Sequence, residues 1–308
     1  MTEVLAEESA IEAGPQAAGG RLSAGAALLA TLITALWGTN PTALKIALRG
    51  LPPIGSSGLR FGIAAAGVWA WCWLTSVRVW PRRSEGWWLA GTALFFVVQI
   101  ATFTLGVYWG TAGHSIVLLH TYPFFVVALA HFLIPGERAT AGKLLGLTLA
   151  FLGIIAIFAG DWGRWQGTQL LGDSVQLSSA VLLAGQVVFL KHALARVDSN
   201  RVVLWQMVVC AAAFLAYSFG LEGLARSRPD TEVTAAVLYQ GLIIGTFCFT
   251  IWTWLINRHA ASRVAIFGFI APLVGVGLSA VALGEPLTLS LLTGAGLVAL
   301  GIVFANRF

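Results

Sequence analysis

The sequence predicts an all-α integral membrane protein of ten transmembrane helices arranged as two inverted five-helix repeats, and three observations carry that prediction. Of its 308 residues 58% are hydrophobic and only 10% charged, with a mean hydropathy of +0.84, whereas an ordinary soluble domain carries roughly 25% charged residues. The apolar runs match the roughly 20 residues that one helix needs to cross a hydrocarbon core, and they lack the period of two that a barrel strand would show. The chain also repeats itself. Pro123 is followed by Glu137, Gly146 and Gly153, as Pro272 is followed by Glu285, Gly294 and Gly301, with identical Glu-to-Gly steps in the two halves.

The spans are set by the polar and proline-rich breaks between them, which places them at 24–46, 54–75, 86–108, 111–133, 141–160, 169–192, 200–220, 234–256, 261–282 and 288–306. Turn chemistry fills the breaks: Arg49-Gly50-Leu51-Pro52-Pro53, Pro81-Arg82-Arg83, Pro135-Gly136-Glu137-Arg138 and Gly284-Glu285-Pro286. Residues 1–23 read as a disordered cytoplasmic tail, because their start is acidic and Gly/Ala-rich and lacks the basic and apolar regions of a cleaved signal. The first repeat is then 24–160 and the second 168–307.

Lys and Arg concentrate in cytoplasmic loops. With the N-terminus inside, 12 of the 18 fall on the inner side, which puts both termini in the cytoplasm. Five spans per half is an odd number, so equivalent loops must face opposite sides. The charges agree, since the Glu137 loop carries Arg138 and Lys143 while the Glu285 loop carries no basic residue. The net charge of +5 is spread over short loops rather than gathered in a basic stripe, which argues against nucleic acid as a partner. Cys72, Cys210 and Cys248 all lie in apolar spans without ligand spacing and read as small buried hydrophobes.

A helix facing lipid has no use for polar residues at helical spacing, so a polar stripe marks a water-filled path or a helix interface. The third span carries Thr92, Gln99, Thr102 and Gly106. The sixth carries Asp173, Gln176, Ser179, Leu183 and Gln186, and the eighth Gln240, Thr246, Thr250, Thr253 and Asn257 beside Tyr239 and Trp252. One Thr or Gln reads as an interhelical hydrogen bond of about 0.6 kcal/mol; three stripes together read as a cavity. Trp37 and Asn40 in the first span and His120 and Tyr122 in the fourth add flat apolar faces with hydrogen-bonding edges. The expected binding set is Trp37, Asn40, Gln99, Thr102, His120, Tyr122, Gln186, Tyr239, Thr250 and Trp252.

Pro41, Pro123 and Pro272 read as kinks and gating hinges, because each removes an N–H and frees the carbonyl four residues back, those of Trp37, Leu119 and Gly268. Lys45, Lys191 and Arg60 read as cations that snorkel to a headgroup or hold a helix pair rather than as gates. The small residues Gly142, Gly146 and Gly153, and Gly294, Gly301 and Ala305, suit close packing between helices or protomers.

On Trp37-Gly38-Thr39-Asn40 with Lys45, Leu51-Pro52-Pro53 with Arg60-Phe61, and the segment from Pro123 through Glu137-Arg138 to Gly146 and Gly153 with its repeat at Glu285, the chain resembles the EamA-type ten-helix branch of the drug/metabolite transporter superfamily. The resemblance covers essentially everything after residue 23. It implies a secondary transporter of the bacterial inner membrane, working by alternating access around a central cavity, and within the group it is most similar to amino-acid exporters, the aromatic branch included. The partners so implied are membrane lipids and a small metabolite, an aromatic or neutral amino acid, carried by a monomer or homodimer. Export of other solutes or drugs with proton coupling, and a channel-like protein, are the alternatives.

No G-x-x-x-x-G-K-[ST] loop is present to hydrolyse ATP. The five histidines, at 114, 120, 131, 192 and 259, form no ligand pairs with nearby carboxylates, so neither an enzyme nor a metal or other cofactor is expected. All 13 acidic residues fall in the tail, in loops or at span ends. A proton-coupled carrier needs an ionisable group along its path, so facilitated, gradient-driven export is expected, with His120 as the deep titrating group.

Overall fold

The computed structural model of the chain describes residues 23–133, 141–160, 167–258 and 266–307. Helix α1, Ala24–Ala47, starts where the Ser23 hydroxyl accepts from the Ala26 N–H. Helix α2, Pro53–Leu74, starts on a proline, whose missing N–H is harmless at the first helical position. A 3₁₀ turn, Arg83–Glu85, leads into α3, Gly86–Trp109. The fourth predicted span is two helices, α4 (Ala112–Leu119) and α5 (Tyr122–Leu133), followed by α6, Ala141–Gly160, and α7, Gly167–Leu194. Helix α8, Ser199–Tyr217, runs into a π-helical turn, Ser218–Glu222. The eighth span is α9 (Thr231–Tyr239), a π-helix Gln240–Cys248 and α10 (Phe249–Arg258) in one rod. After a 3₁₀ turn, Ile266–Phe269, come α11, Ile270–Leu283, and α12, Leu289–Arg307. Among the described residues no strand is present.

Two departures from the expected spans have local causes. Pro123 is the second residue of α5 and Pro272 the third of α11, so neither interrupts a running helix; each sits in a first turn, where its N–H has no intrahelical partner to lose. The chain instead breaks at His120 and Thr121, whose side chains bond the Ile116 and Leu118 carbonyls at 2.8 and 2.7 Å. Pro41 alone of the three stands inside a continuous helix. The residues around Glu137, and Arg138 with it, lie outside the described ones.

Helices α2, α3 and α8 share one apolar core around Phe61, Phe96, Met207 and Phe214. A second core joins α4, α5, α11 and α12 around Ile116, Phe124 and Val276. Exposure runs inside out compared with a soluble protein. Leu28, Leu74, Leu94, Phe151, Leu221 and Val281 are more than half exposed, whereas Gln99, Gln176, Gln206 and Gln240 are buried. Trp73, Trp80 and Trp87, each about 70% exposed, form part of an aromatic fringe where α2 ends and α3 begins. Four helical stretches among the described residues, Arg83–Trp109, Gly167–Leu194, Ser199–Glu222 and Thr231–Asn257, are long and apolar enough to cross a bilayer.

Long-range bonds sort the helix ends into two sets. At one end the Glu222 carboxylate accepts from the Ile54 and Gly55 N–H groups at the start of α2 (3.1 and 2.9 Å), and Glu285 accepts from Ala112 and Gly113 at the start of α4 (both 2.8 Å). His114 meets Asp173 of α7 there at 2.8 Å, and Lys45 of α1 donates to the Tyr108 carbonyl of α3 at 3.3 Å. At the other end Arg201 of α8 forks onto Glu85 at 2.5 and 2.6 Å and donates from Nε to the Arg78 carbonyl at 3.0 Å.

Small residues let these helices approach closely. Helices α1 and α11 cross at Gly38 and Gly275, where a Cβ on either would come within 2.6 Å of a backbone oxygen on the other helix. Gly172 of α7 is tighter still, because a Cβ there would meet the backbone of Trp109 and Gly110, and no flexible side chain can give way. Gly172→Ala is therefore expected to lower stability by about 1–3 kcal/mol, read as a drop in melting temperature in detergent. Gly62→Ala, with nothing within 4 Å of its added carbon, is expected to leave the melting temperature unchanged.

Candidate functional site

The bundle holds a cavity of about 140 Å³. Helix α1 contributes Thr34, Trp37, Asn40 and Pro41 at steps of three and four residues, the spacing of a single helical face. Helix α3 contributes Phe96, Gln99, Ile100 and Phe103 by the same rule. The break between α4 and α5 brings in His120 and Tyr122, and α7 contributes Leu183, Gln186, Val187 and Leu190, all from its second half.

Of the ten binding residues expected from sequence, Trp37, Asn40, Gln99, His120, Tyr122, Gln186 and Trp252 line this cavity, and Thr102, Tyr239 and Thr250 do not. Thr102 lies beside the α3 face that continues from Gln99 to Phe103, and its hydroxyl bonds the Val98 and Gln99 carbonyls of its own helix. Tyr239 instead ties α9 to α1 through a 2.6 Å bond to Thr39. Thr250 is displaced by the π-helix. Its wider, i→i+5 turns rotate the following residues, so Ile244, Gly245, Phe249 and Thr253 reach the cavity in place of Thr246 and Thr250. Pro41 lines the cavity; Pro123 and Pro272 stand outside its wall.

Arg60, which the sequence suggests is a snorkelling or helix-pairing cation, is 2% exposed and lines the cavity. Its Nη1 donates to Asn40 Oδ1 at 3.2 Å, and its guanidinium carbon stands 4.7 Å from the Phe61 ring centre and 5.8 Å from that of Phe103. Asn40 Oδ1 also accepts from Gln240 Nε2 at 2.8 Å. Gln206 of α8, 146 residues after Arg60, lines the cavity as well and donates to the Thr92 carbonyl at 3.3 Å. Sequence alone carried one signal for Arg60: an arginine well inside an apolar run, too far from the break at Pro53 to sit at the helix end. Arg60 and Lys45 both hold helix pairs, α2 to α1 through Asn40 and α1 to α3 through the Tyr108 carbonyl.

Much of the lining is aromatic. Trp37 meets Trp252 and Phe249 edge-on, with ring centres 4.8 and 5.5 Å apart, and Phe249 meets Phe96 at 5.6 Å. His120 Nδ1 faces the Ile116 carbonyl, which can only accept; the ring is thereby held as the Nδ1–H tautomer, with Nε2 left for other partners. None of the described residues lining the cavity is acidic.

Lining residues reach Leu190 near the end of α7, Ile256 near the end of α10 and Gly268 before α11, so the cavity extends toward the end held by Arg201 and Glu85. Toward the end latched by Glu222, Glu285 and the His114–Asp173 pair, the lining residues stop at Pro41, Arg60, Ile116 and Gln240.

Comparison with known proteins agrees with this architecture. The chain is 24% identical over 277 residues to a Bacillus subtilis protein named "Uncharacterized transporter YoaV", covering 90% of this chain and 94% of that one. It is 28% identical over 288 residues to a Salmonella typhimurium protein named "Probable amino-acid metabolite efflux pump", covering 91% and 94%. A crystal structure 19% identical in sequence shares the fold with a TM-score of 0.70, over 91% of this chain and 98% of the other. The profile of the EamA-like transporter family matches twice, at residues 24–159 and 170–307, and with nearly the whole chain covered the protein belongs to that family of membrane transporters.

Proposed function

We propose that this transporter exports amino acids with aromatic or other apolar side chains by alternating access, across ten membrane spans built as two inverted repeats in the bacterial inner membrane. The observation that carries the reading is the composition of the cavity wall. Trp37, Trp252, Phe249 and Phe96 supply apolar faces, and Asn40, Arg60, Gln186 and Gln240 hydrogen-bonding groups, a lining suited to a small solute with one apolar and one polar end. The printed name of the Salmonella relative supports the same substrate class.

Inverted repeats are supported by the way helices pair. Helix α1 packs on α11 and on the α9–α10 rod, and in the other half α7 packs on α5 and α3; α2 packs on α8, and α6 on α12. Exchanging the halves leaves that pattern intact, as a pseudo-twofold axis in the membrane plane requires. Residues 146 apart, Asn40 with Gln186 and Phe103 with Phe249, both face the cavity. Arg78, Arg82, Arg83, Lys191, Arg196, Arg201 and Arg258 gather at one end, against Lys45, Arg49, Arg226 and Arg228 among the described residues at the other. That asymmetry supports a cytoplasmic Arg201 end, hence cytoplasmic termini and a cavity extending inward.

Reconstituted protein is expected to give saturable counterflow of L-phenylalanine or L-tryptophan in liposomes. Trp37→Ala is expected to reduce it roughly tenfold or more at unchanged abundance, because the loss exposes two ring edges and removes the flat wall. Steady ionic current without saturation would mean a channel. With no acidic residue in the described wall, counterflow at equal pH on both sides is expected to persist in the presence of a protonophore.

A further inference from the structure

The geometry points to Arg60 as the anchor for the carboxylate of the carried solute, with the amide oxygens of Gln240 and Gln186 as acceptors for its ammonium group. This deepens the amino-acid reading above and rests on it. Arg60 is buried in the middle of α2 and spends one donor, Nη1, on Asn40. Its ring neighbours Phe61 and Phe103 can engage the guanidinium as a cation without consuming any N–H. Nε and Nη2 have no partner among the described residues. Those two atoms form the side-on edge of a guanidinium, whose parallel N–H bonds match the two oxygens of a carboxylate.

The acceptors follow from the same network, read from its one unambiguous end. Arg60 can only donate, so the Asn40 atom facing it is the oxygen. That oxygen cannot donate, so Gln240 must present its nitrogen to it. Gln240 Oε1 is thereby left as a buried acceptor without a partner, and Gln186 Oε1 is a second. Orphaned donors on one cation and orphaned acceptors on two neutral amides, on residues that all line the one cavity, complement a zwitterion. They disfavour a bare amine, which would meet a buried guanidinium with no wall carboxylate to offset it. The repeat counterpart of Arg60 is the neutral Gln206, so the cation is supplied from one half only and gives the ligand a single orientation.

Binding to the purified full-length protein, by calorimetry in detergent, tests this with L-phenylalanine, 3-phenylpropanoate and 2-phenylethylamine. Removing the ammonium is expected to weaken binding roughly tenfold, and removing the carboxylate roughly a hundredfold. Arg60→Gln is expected to erase the advantage of L-phenylalanine over 2-phenylethylamine, Arg60→Lys to keep part of it, and Gln240→Glu to gain affinity for the amine. Wild-type protein that binds 2-phenylethylamine as tightly as L-phenylalanine overturns the anchor without any variant. Undiminished L-phenylalanine binding by folded Arg60→Gln protein removes the anchor and keeps the amino-acid reading. Binding of 3-phenylpropanoate but not of L-phenylalanine keeps the anchor and removes that reading, and binding of none of the three overturns both.

Discussion

Replacing Arg201 with methionine is expected to destabilise the protein by about 3 kcal/mol, the lower part of the range for breaking a buried ion pair, read as a fall in the unfolding midpoint in detergent. Arg201 and Glu85 are only 8% and 7% exposed, and Glu85 also accepts from the Arg82 N–H at 2.8 Å. Without the guanidinium, the carboxylate keeps that one donor, and the Arg78 carbonyl loses its bond from Nε. The lower part of the range applies because the pair sits at the end of the bundle, where water and headgroups can relax around a bare charge. The loss should be specific to the broken pair: Glu85→Leu with Arg201→Met removes both charges and is expected to recover most of the stability, since a buried pair offsets its own desolvation only partly. Arg201→Met protein with a wild-type midpoint would mean that the pair is solvated in the membrane.

The helices were legible in the sequence because lipid imposes a single rule, a long apolar run between polar breaks. Helix α1 at Ala24–Ala47 and α6 at Ala141–Gly160 end within a residue of the spans read for them. What the hydropathy pattern does not carry is how a run is wound. The stretch 111–133 is mostly apolar, yet it breaks at His120, where the side chains of His120 and Thr121 bond the Ile116 and Leu118 carbonyls beside their own backbone N–H groups. The stretch 234–256 contains a π-helix, and one changed turn length moves Thr250 off the wall and Phe249 onto it. Seven of the ten residues expected from polar or aromatic positions at mid-span depth line the cavity. That Arg60 lines it too was harder to read, because whether a long cation runs along the helix to a headgroup or stays in the core depends on neighbours from α1 and α3 that only the fold supplies.

The seal at the Glu285 end yields the other large expected effect. Glu285→Gln is expected to raise, roughly tenfold, the rate at which a membrane-impermeant maleimide added outside labels Thr42→Cys in protein whose native cysteines are replaced by alanine. The Glu285 carboxylate holds the first two N–H groups of α4, where helix-end partial charge adds to each bond. An amide offers one oxygen and turns an N–H toward the other donor, a loss of about 1–2 kcal/mol on the closed side only. A shift of that size in a two-state equilibrium changes the open population roughly tenfold. The closed end also holds its own reason to open. Thr42 Oγ1, Ser56 Oγ, Ser115 Oγ, Ser218 Oγ and Asp173 Oδ1 are buried there without partners, and a buried polar atom left so costs about 1–3 kcal/mol. Under the proposed alternating access, hydration would relieve these atoms when the latches part, and the packed polar residues at this end would line the outward-open path. Leu287→Cys, on the exposed turn beside Glu285, is expected to label from outside at the same rate with or without the Gln substitution. Labelling of Thr42→Cys from the inner face alone would reverse the orientation, and equal outer labelling in both backgrounds would leave Glu285 a helix cap with no part in opening.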